Sequence, residues 1–252
     1  MTYEIFSRSP VAIRVPGIAG FGETPAAIRP TPGLPPFKFV CDPTCSLPFT
    51  CSALQTIVGK SIVGAINLAR NAARRLENNP KDTETIFRGV FGQGPLDSWE
   101  LSGLPAKKEQ AGKIVARRFR TVEKELRTRT TLYRCVTALA CAQAISRSRE
   151  ERPHPIDTIV PDLAALALLC KDEVWLCPPF WQLKGEWQAG TILHEMLHLC
   201  FGLTCAWFQH DQKEKARNSA YCYEVFALNV AGKVPDQISI DKCKDVLNRN
   251  GP

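Results

Sequence analysis

A chain of 252 residues, 44% hydrophobic and 23% charged, is long enough to bury a sizeable core, and its composition is that of an ordinary globular domain. No stretch approaches the ~18 consecutive apolar residues of a membrane span, and Met1 to Arg8 lacks the apolar segment of ~7–15 residues that marks a secretory signal. The net charge of +7 gathers between Lys107 and Arg134 without interleaved aromatics or a recognised binding motif, so a solvated helix face is expected there and nucleic acid is not expected as a partner.

In chain order, the first fifty-one residues are punctuated by prolines from Pro10 to Pro48. Proline fixes φ and removes a backbone donor, so residues 1–51 read as an extended leader ahead of a single domain over 52–252. From Ser52 to Leu76 apolar residues recur at helical spacing, and a second helix is expected over Ala106 to Thr130, where Ile114, Val115, Phe119, Val122 and Leu126 form the stripe. A segment rich in Gly89, Gly92, Gly94 and Pro95 reads as the turn between them. Two short apolar runs, Leu163 to Cys170 and Glu173 to Cys177, flank the polar pair Lys171-Asp172 and read as a β-hairpin. Three further helices are expected, over about Glu186 to Phe201, Arg217 to Val230 and Ile238 to Leu247. Helices on both sides of a small hairpin make the fold class α+β, mostly helical.

Eleven cysteines are many for a protein kept in a reducing compartment, and an odd count leaves at least one outside any set of disulfides. With no secretory signal visible, the expectation is an oxidising destination reached by a route that such a signal does not mark. Cys41, Cys45 and Cys51 cluster in the proline-rich stretch.

The residues that carry chemistry are His194-Glu195-Met196-Leu197-His198, which use two of the four histidines in the chain. On a helix, positions four apart share a face one turn apart, so both imidazoles can meet one metal ion. Glu195 then stands where a general base for a metal-activated water is needed, which is what peptide hydrolysis asks of a zinc site. Zinc catalysis also requires a third protein ligand. His210 and Asp211 are the nearest downstream candidates, and Glu224 is the next acidic residue on an expected helix.

Longer stretches around this pentapeptide resemble a known family. Val174-Trp175-Leu176-Cys177-Pro178-Pro179-Phe180-Trp181, then Gln188-Ala189-Gly190-Thr191-Ile192-Leu193 running into the motif, are similar to the aspzincins, the deuterolysin and peptidyl-lysine zinc metallopeptidases. Ser219-Ala220-Tyr221-Cys222-Tyr223-Glu224-Val225-Phe226-Ala227 is similar to a later family segment. The resemblance implies a zincin-like domain, a zinc-dependent endopeptidase acting on protein or peptide substrates, and an aspartate as third ligand. Asp211 is the best match for that aspartate, with His210 as the alternative. The family's tyrosine shortly after the aspartate, a donor to the developing oxyanion, has no counterpart here, which leaves Tyr221 and Tyr223 as candidates. Glu224 matches a glutamate that holds the substrate lysine in the lysine-specific branch, while Tyr221 stands where that branch has an aspartate. The resemblance also implies that the strand Glu173 to Cys177 is an edge strand pairing with extended substrate.

Overall fold

A computed structural model describes residues 34–42, 45, 48–100, 108–142, 164–168, 172–203 and 217–248. The fold is α+β and mostly helical, as composition and periodicity anticipate. Helix α1 (Cys51–Asn78) starts where the Thr50 side chain accepts the Ala53 N–H at 3.2 Å, satisfying one of the donors that a helix start leaves open. Its stripe, from Leu54 through Val58, Ile62 and Ala69 to Leu76, is buried. Length and composition alone would let α1 cross a membrane. Its apolar face instead packs against α3 (Ala111–Thr128), α4 (Gly185–Phe201) and α5 (Ala220–Val230), so α1 is the central core helix.

The segment read as a turn between the first two helices holds α2 (Glu84–Phe91). Gly92, at φ +72°, is its left-handed cap and donates to the Arg88 carbonyl at 2.9 Å. An eight-residue helix containing Gly89 offers too few turns for periodicity to outweigh that glycine. What stabilises it is tertiary: Phe87 and Phe91 enter an aromatic cluster with Trp99, Tyr223 and Phe226. A short hairpin, β2 (Ser98–Glu100) with β3 (Lys108–Gln110), then precedes α3, which begins at Ala111, later than the basic run implied.

The four-stranded sheet has the order β1-β4-β6-β5. Strands β1 (Phe37–Cys41), β4 (Thr131–Cys135) and β6 (Glu173–Leu176) run parallel, and β5 (Ala165–Leu168) pairs antiparallel with β6. Two expectations change here. The proline-rich leader does not stay outside the domain to residue 51: Phe37-Lys38-Phe39-Val40 has the aromatic and β-branched content of a strand, and it adds to the sheet beside β4. Disulfides Cys41–Cys51 and Cys45–Cys135 fasten that strand to α1 and β4. Second, the expected hairpin forms, turning at Asp172 with φ 53°, but β6 is an interior strand between β4 and β5. The strands at the sheet's two edges are β1 and β5, and Glu173 to Cys177 is at neither.

Disulfides Cys141–Cys177 and Cys222–Cys243 complete four, and among the described residues Cys200 is the cysteine outside them. The last helix, α6 (Gln237–Asn248), lies against α5 and is stapled to it by Cys222–Cys243. The basic face of α3 is ion-paired as well as solvated. Arg120 bridges Glu77 on α1 and Glu123, and Glu123 also meets Arg70 and Arg127. Arg118 departs from the expected outer face: it turns inward to donate to the Tyr223 hydroxyl at 2.7 Å and to the Arg217 carbonyl.

Candidate metal centre

Helix α4 carries the pentapeptide through the middle of the molecule. Its sheet-facing side rests on Met196, whose sulfur receives the Thr131 and Tyr133 hydroxyls at 4.0 and 3.9 Å. Two small residues let other helices close on its first half. A Cβ on Gly64 of α1 would come within 2.7 Å of the Ala189 Cβ, and one on Gly190 would come within 2.7 Å of the Glu224 Oε1 on α5. The helix ends at Gly202, left-handed at φ +59°, whose N–H returns to the His198 carbonyl at 2.8 Å. That reversal brings the Leu203 carbonyl back to His198.

His194 and His198 face each other one turn apart, with ring centroids 4.8 Å apart. His194, Glu195 and Glu224 are 4%, 5% and 3% exposed. Each imidazole is anchored through Nδ1. His198 Nδ1 bonds the Leu203 carbonyl, and because a carbonyl oxygen only accepts, Nδ1 carries the proton and Nε2 the lone pair. His194 Nδ1 meets Glu224 Oε2 at 3.1 Å. An imidazole that ligates a metal through one nitrogen commonly gives its other N–H to a carboxylate or a backbone carbonyl, and here a carboxyl group lies at Nδ1 of His194 and a backbone carbonyl at Nδ1 of His198.

Burial dominates the titration of the group. It lowers both histidines to about 3, which keeps them neutral, the form that ligates a metal. Burial, with Glu224 adding a smaller effect, raises Glu195 to about 8, opposed by a hydrogen bond from the Ala167 backbone. Glu224 is raised to about 8 by burial and by Asp236, and Ser239 opposes this by hydrogen-bonding its carboxyl. Among the described residues no Lys or Arg offsets the charge of either carboxyl. Two neutral imidazoles beside two carboxyls whose charge is disfavoured by burial form a donor set that a divalent cation would stabilise.

Strand β5 passes beside this helix. The Cys177 N–H bonds the Ala164 carbonyl at 2.9 Å, so in the alternating antiparallel ladder Ala165 and Ala167 turn their backbone groups away from β6. The Ala167 N–H is the one that reaches Glu195.

The sequence-derived residues are therefore distributed unevenly. His194, Glu195, His198, Glu224 and Tyr221 come together, with the Tyr221 ring 4.4 Å from that of His194. Tyr223 does not join them: it is fully buried between Phe91 and Phe119, and its hydroxyl is taken by Arg118. Asp211 and His210 lie outside the described residues. Among the described residues no group of three His, Cys, Asp or Glu side chains forms a complete metal site. Sequence reasoning missed Gly190, Ser239 and the Leu203 carbonyl. A glycine inside an apolar helix was a signal for close approach, whereas a main-chain carbonyl has no sequence signature. Compared with known proteins, the chain matches no family model and no curated protein.

Proposed function

We propose that the protein is a zinc-dependent endopeptidase, with His194 and His198 as metal ligands through Nε2 and Glu195 as general base. The observation that carries this reading is the paired anchoring: two neutral, buried histidines on one helix face, each held through Nδ1, with a buried glutamate between them. A structural helix has no need to immobilise two imidazoles in this way. Asp211, from the aspzincin resemblance, is the proposed third ligand, and His210 the alternative. A gluzincin-like role for Glu224 is less well supported, because its carboxylate sits at Nδ1 of His194, on the far side of the ring from the nitrogen that would take the metal.

Zinc, when bound, supplies the Lewis acid that polarises a peptide carbonyl and acidifies water. Glu195 accepts the proton of the attacking water and returns it to the amide nitrogen as the C–N bond breaks. The outward backbone groups of Ala165 and the outward Ala167 carbonyl, whose N–H partner is engaged by Glu195, offer an extended peptide a strand to pair with, as in β-augmentation. Sheet order supports a zincin-like reading of the fold, since the antiparallel edge strand is the one next to the motif helix. Tyr221, against His194, is the remaining candidate donor to the oxyanion.

Purified protein should bind one zinc per chain and cleave a denatured protein substrate. Glu195→Gln should keep the zinc and lose about 100-fold or more in kcat, the scale of general-base catalysis. Full activity in that variant would defeat the reading.

A further inference from the structure

We infer that Glu224 is a positioning residue of the metal centre: from α5 its carboxylate takes the Nδ1–H of His194, fixing the tautomer and ring orientation that present Nε2 to the metal. This rests on the zinc reading above and assigns Glu224 a role different from both a third ligand and a holder of substrate lysine.

Geometry carries the assignment. Glu224 Oε2 lies 3.1 Å from His194 Nδ1, and both side chains are buried. The two nitrogens of an imidazole point in divergent directions, so one carboxylate oxygen at Nδ1 cannot also bind a metal held at Nε2 of that ring. A buried carboxylate committed to a histidine is equally poorly placed to meet a substrate side chain, which needs an open face.

Three features outside the pentapeptide hold Glu224 in place. Gly190, one turn before His194, removes the side chain that would occupy the space of the carboxylate: a Cβ there would stand 2.7 Å from Oε1 and 3.3 Å from Cγ of Glu224. Ser239 on α6 hydrogen-bonds the carboxyl. The Cys222–Cys243 disulfide, beginning two residues before Glu224, ties α5 to α6 and keeps Ser239 within reach. Ser239 is itself fixed, because its N–H is accepted by Asp236 Oδ1 at 2.9 Å as α6 begins. One side of His194 is thus built by two helices that contribute no ligand among the described residues.

The test compares metal affinity, not activity. Wild type, Glu224→Gln, Ser239→Ala and Asp211→Asn are titrated with zinc against a chromophoric chelator, and each is loaded with cobalt(II) for its visible absorption. Glu224→Gln should still bind one metal per chain, about 10- to 100-fold more weakly, with a cobalt spectrum that retains its four-coordinate character. Ser239→Ala, which touches neither histidine, should weaken binding several-fold and serves if Glu224→Gln fails to fold. Unchanged affinity in both variants would overturn the assignment, and so would loss of the four-coordinate cobalt spectrum in Glu224→Gln with its retention in Asp211→Asn, which would make Glu224 a ligand. Wild type that binds neither metal would instead defeat the zinc reading itself.

Discussion

Gly190→Ala perturbs the geometry of the centre without replacing any of the proposed metal ligands. The added Cβ would meet Glu224 Oε1 at 2.7 Å and Leu228 Cδ1 at 3.2 Å, where ordinary contact begins at 3.4 Å. The carboxylate must therefore retreat by about 0.7 Å, the difference between 3.4 and 2.7 Å. From 3.1 Å, a retreat of that size away from His194 carries the bond past the range of a useful N–H···O contact. Because Glu224 can yield by rotating, overpacking should fall at the low end of the usual ~1–3 kcal/mol, and the helix gains back up to about 1 kcal/mol on replacing glycine by alanine. Losing the buried hydrogen bond adds about 1–3 kcal/mol. Net destabilisation should therefore be about 1–3 kcal/mol, or a few degrees in Tm for a domain of this size. Zinc affinity should fall by about tenfold or more, the usual effect of removing the carboxylate behind a ligating histidine.

Gly64→Ala is the matched control. Its Cβ would meet the Ala189 Cβ at 2.7 Å, crowding the same helix from the α1 side, and among the described residues Ala189 alone lies within 4 Å of it. Both variants should melt earlier by differential scanning calorimetry of the metal-free protein, and Gly190→Ala alone should lose zinc affinity in a chelator competition. If both lose stability and neither loses affinity, Gly190 is a packing glycine and the link from α5 to His194 is refuted.

Metal-free stability should depend on pH with a sign set by four buried groups. Glu195 and Glu224, raised from 4.5 to about 8, favour folding most below 4.5 and lose that contribution as pH rises through 8, whereas His194 and His198, lowered from 6.5 to about 3, favour folding above 6.5 and lose theirs as pH falls toward 3. The two effects oppose each other between 4.5 and 6.5, so chelator-treated protein should melt lower at pH 8 than at pH 6.5, and Glu195→Gln should flatten that decline; an unaltered slope in the variant would count against it. Replacing Cys222 and Cys243 together by alanine opens a loop with a sequence separation of 21, and chain entropy puts the loss at about 3 kcal/mol, read from the urea midpoint. The same variant should bind zinc more weakly because α6 no longer holds Ser239 against Glu224, and wild-type affinity in it would show that α6 does not act on the centre.

Periodic elements were legible because burial imposes the period. The stripe over Ser52 to Leu76 became α1, and the two apolar runs around Lys171-Asp172 became β5 and β6. Tertiary contact decided the rest. Phe37–Cys41 has a strand's aromatic and β-branched content, but the surrounding prolines outweigh that signal in the sequence; the strand forms because β4 offers a parallel partner and two disulfides hold it there. Whether β5 or β6 lies at the edge is likewise a property of sheet order: both are short apolar runs, and only the pairing of β6 with β4 puts β6 inside.

Within the centre, the same division separates ligands from the groups that orient them. Spacing on one helix fixes which face His194 and His198 share, because the turn is a constant of the backbone. It says nothing of what lies behind each ring. For His198 the answer is a carbonyl that arrives only because Gly202 turns the chain back, and for His194 it is a glutamate thirty positions downstream that arrives only because Gly190 leaves room for it. Read as a substrate contact, Glu224 would sit in an open pocket. Its 3% exposure and its bond to Nδ1 place it instead among the groups that decide how firmly His194 is held. Any lysine preference of the proposed peptidase would then have to come from residues other than Glu224.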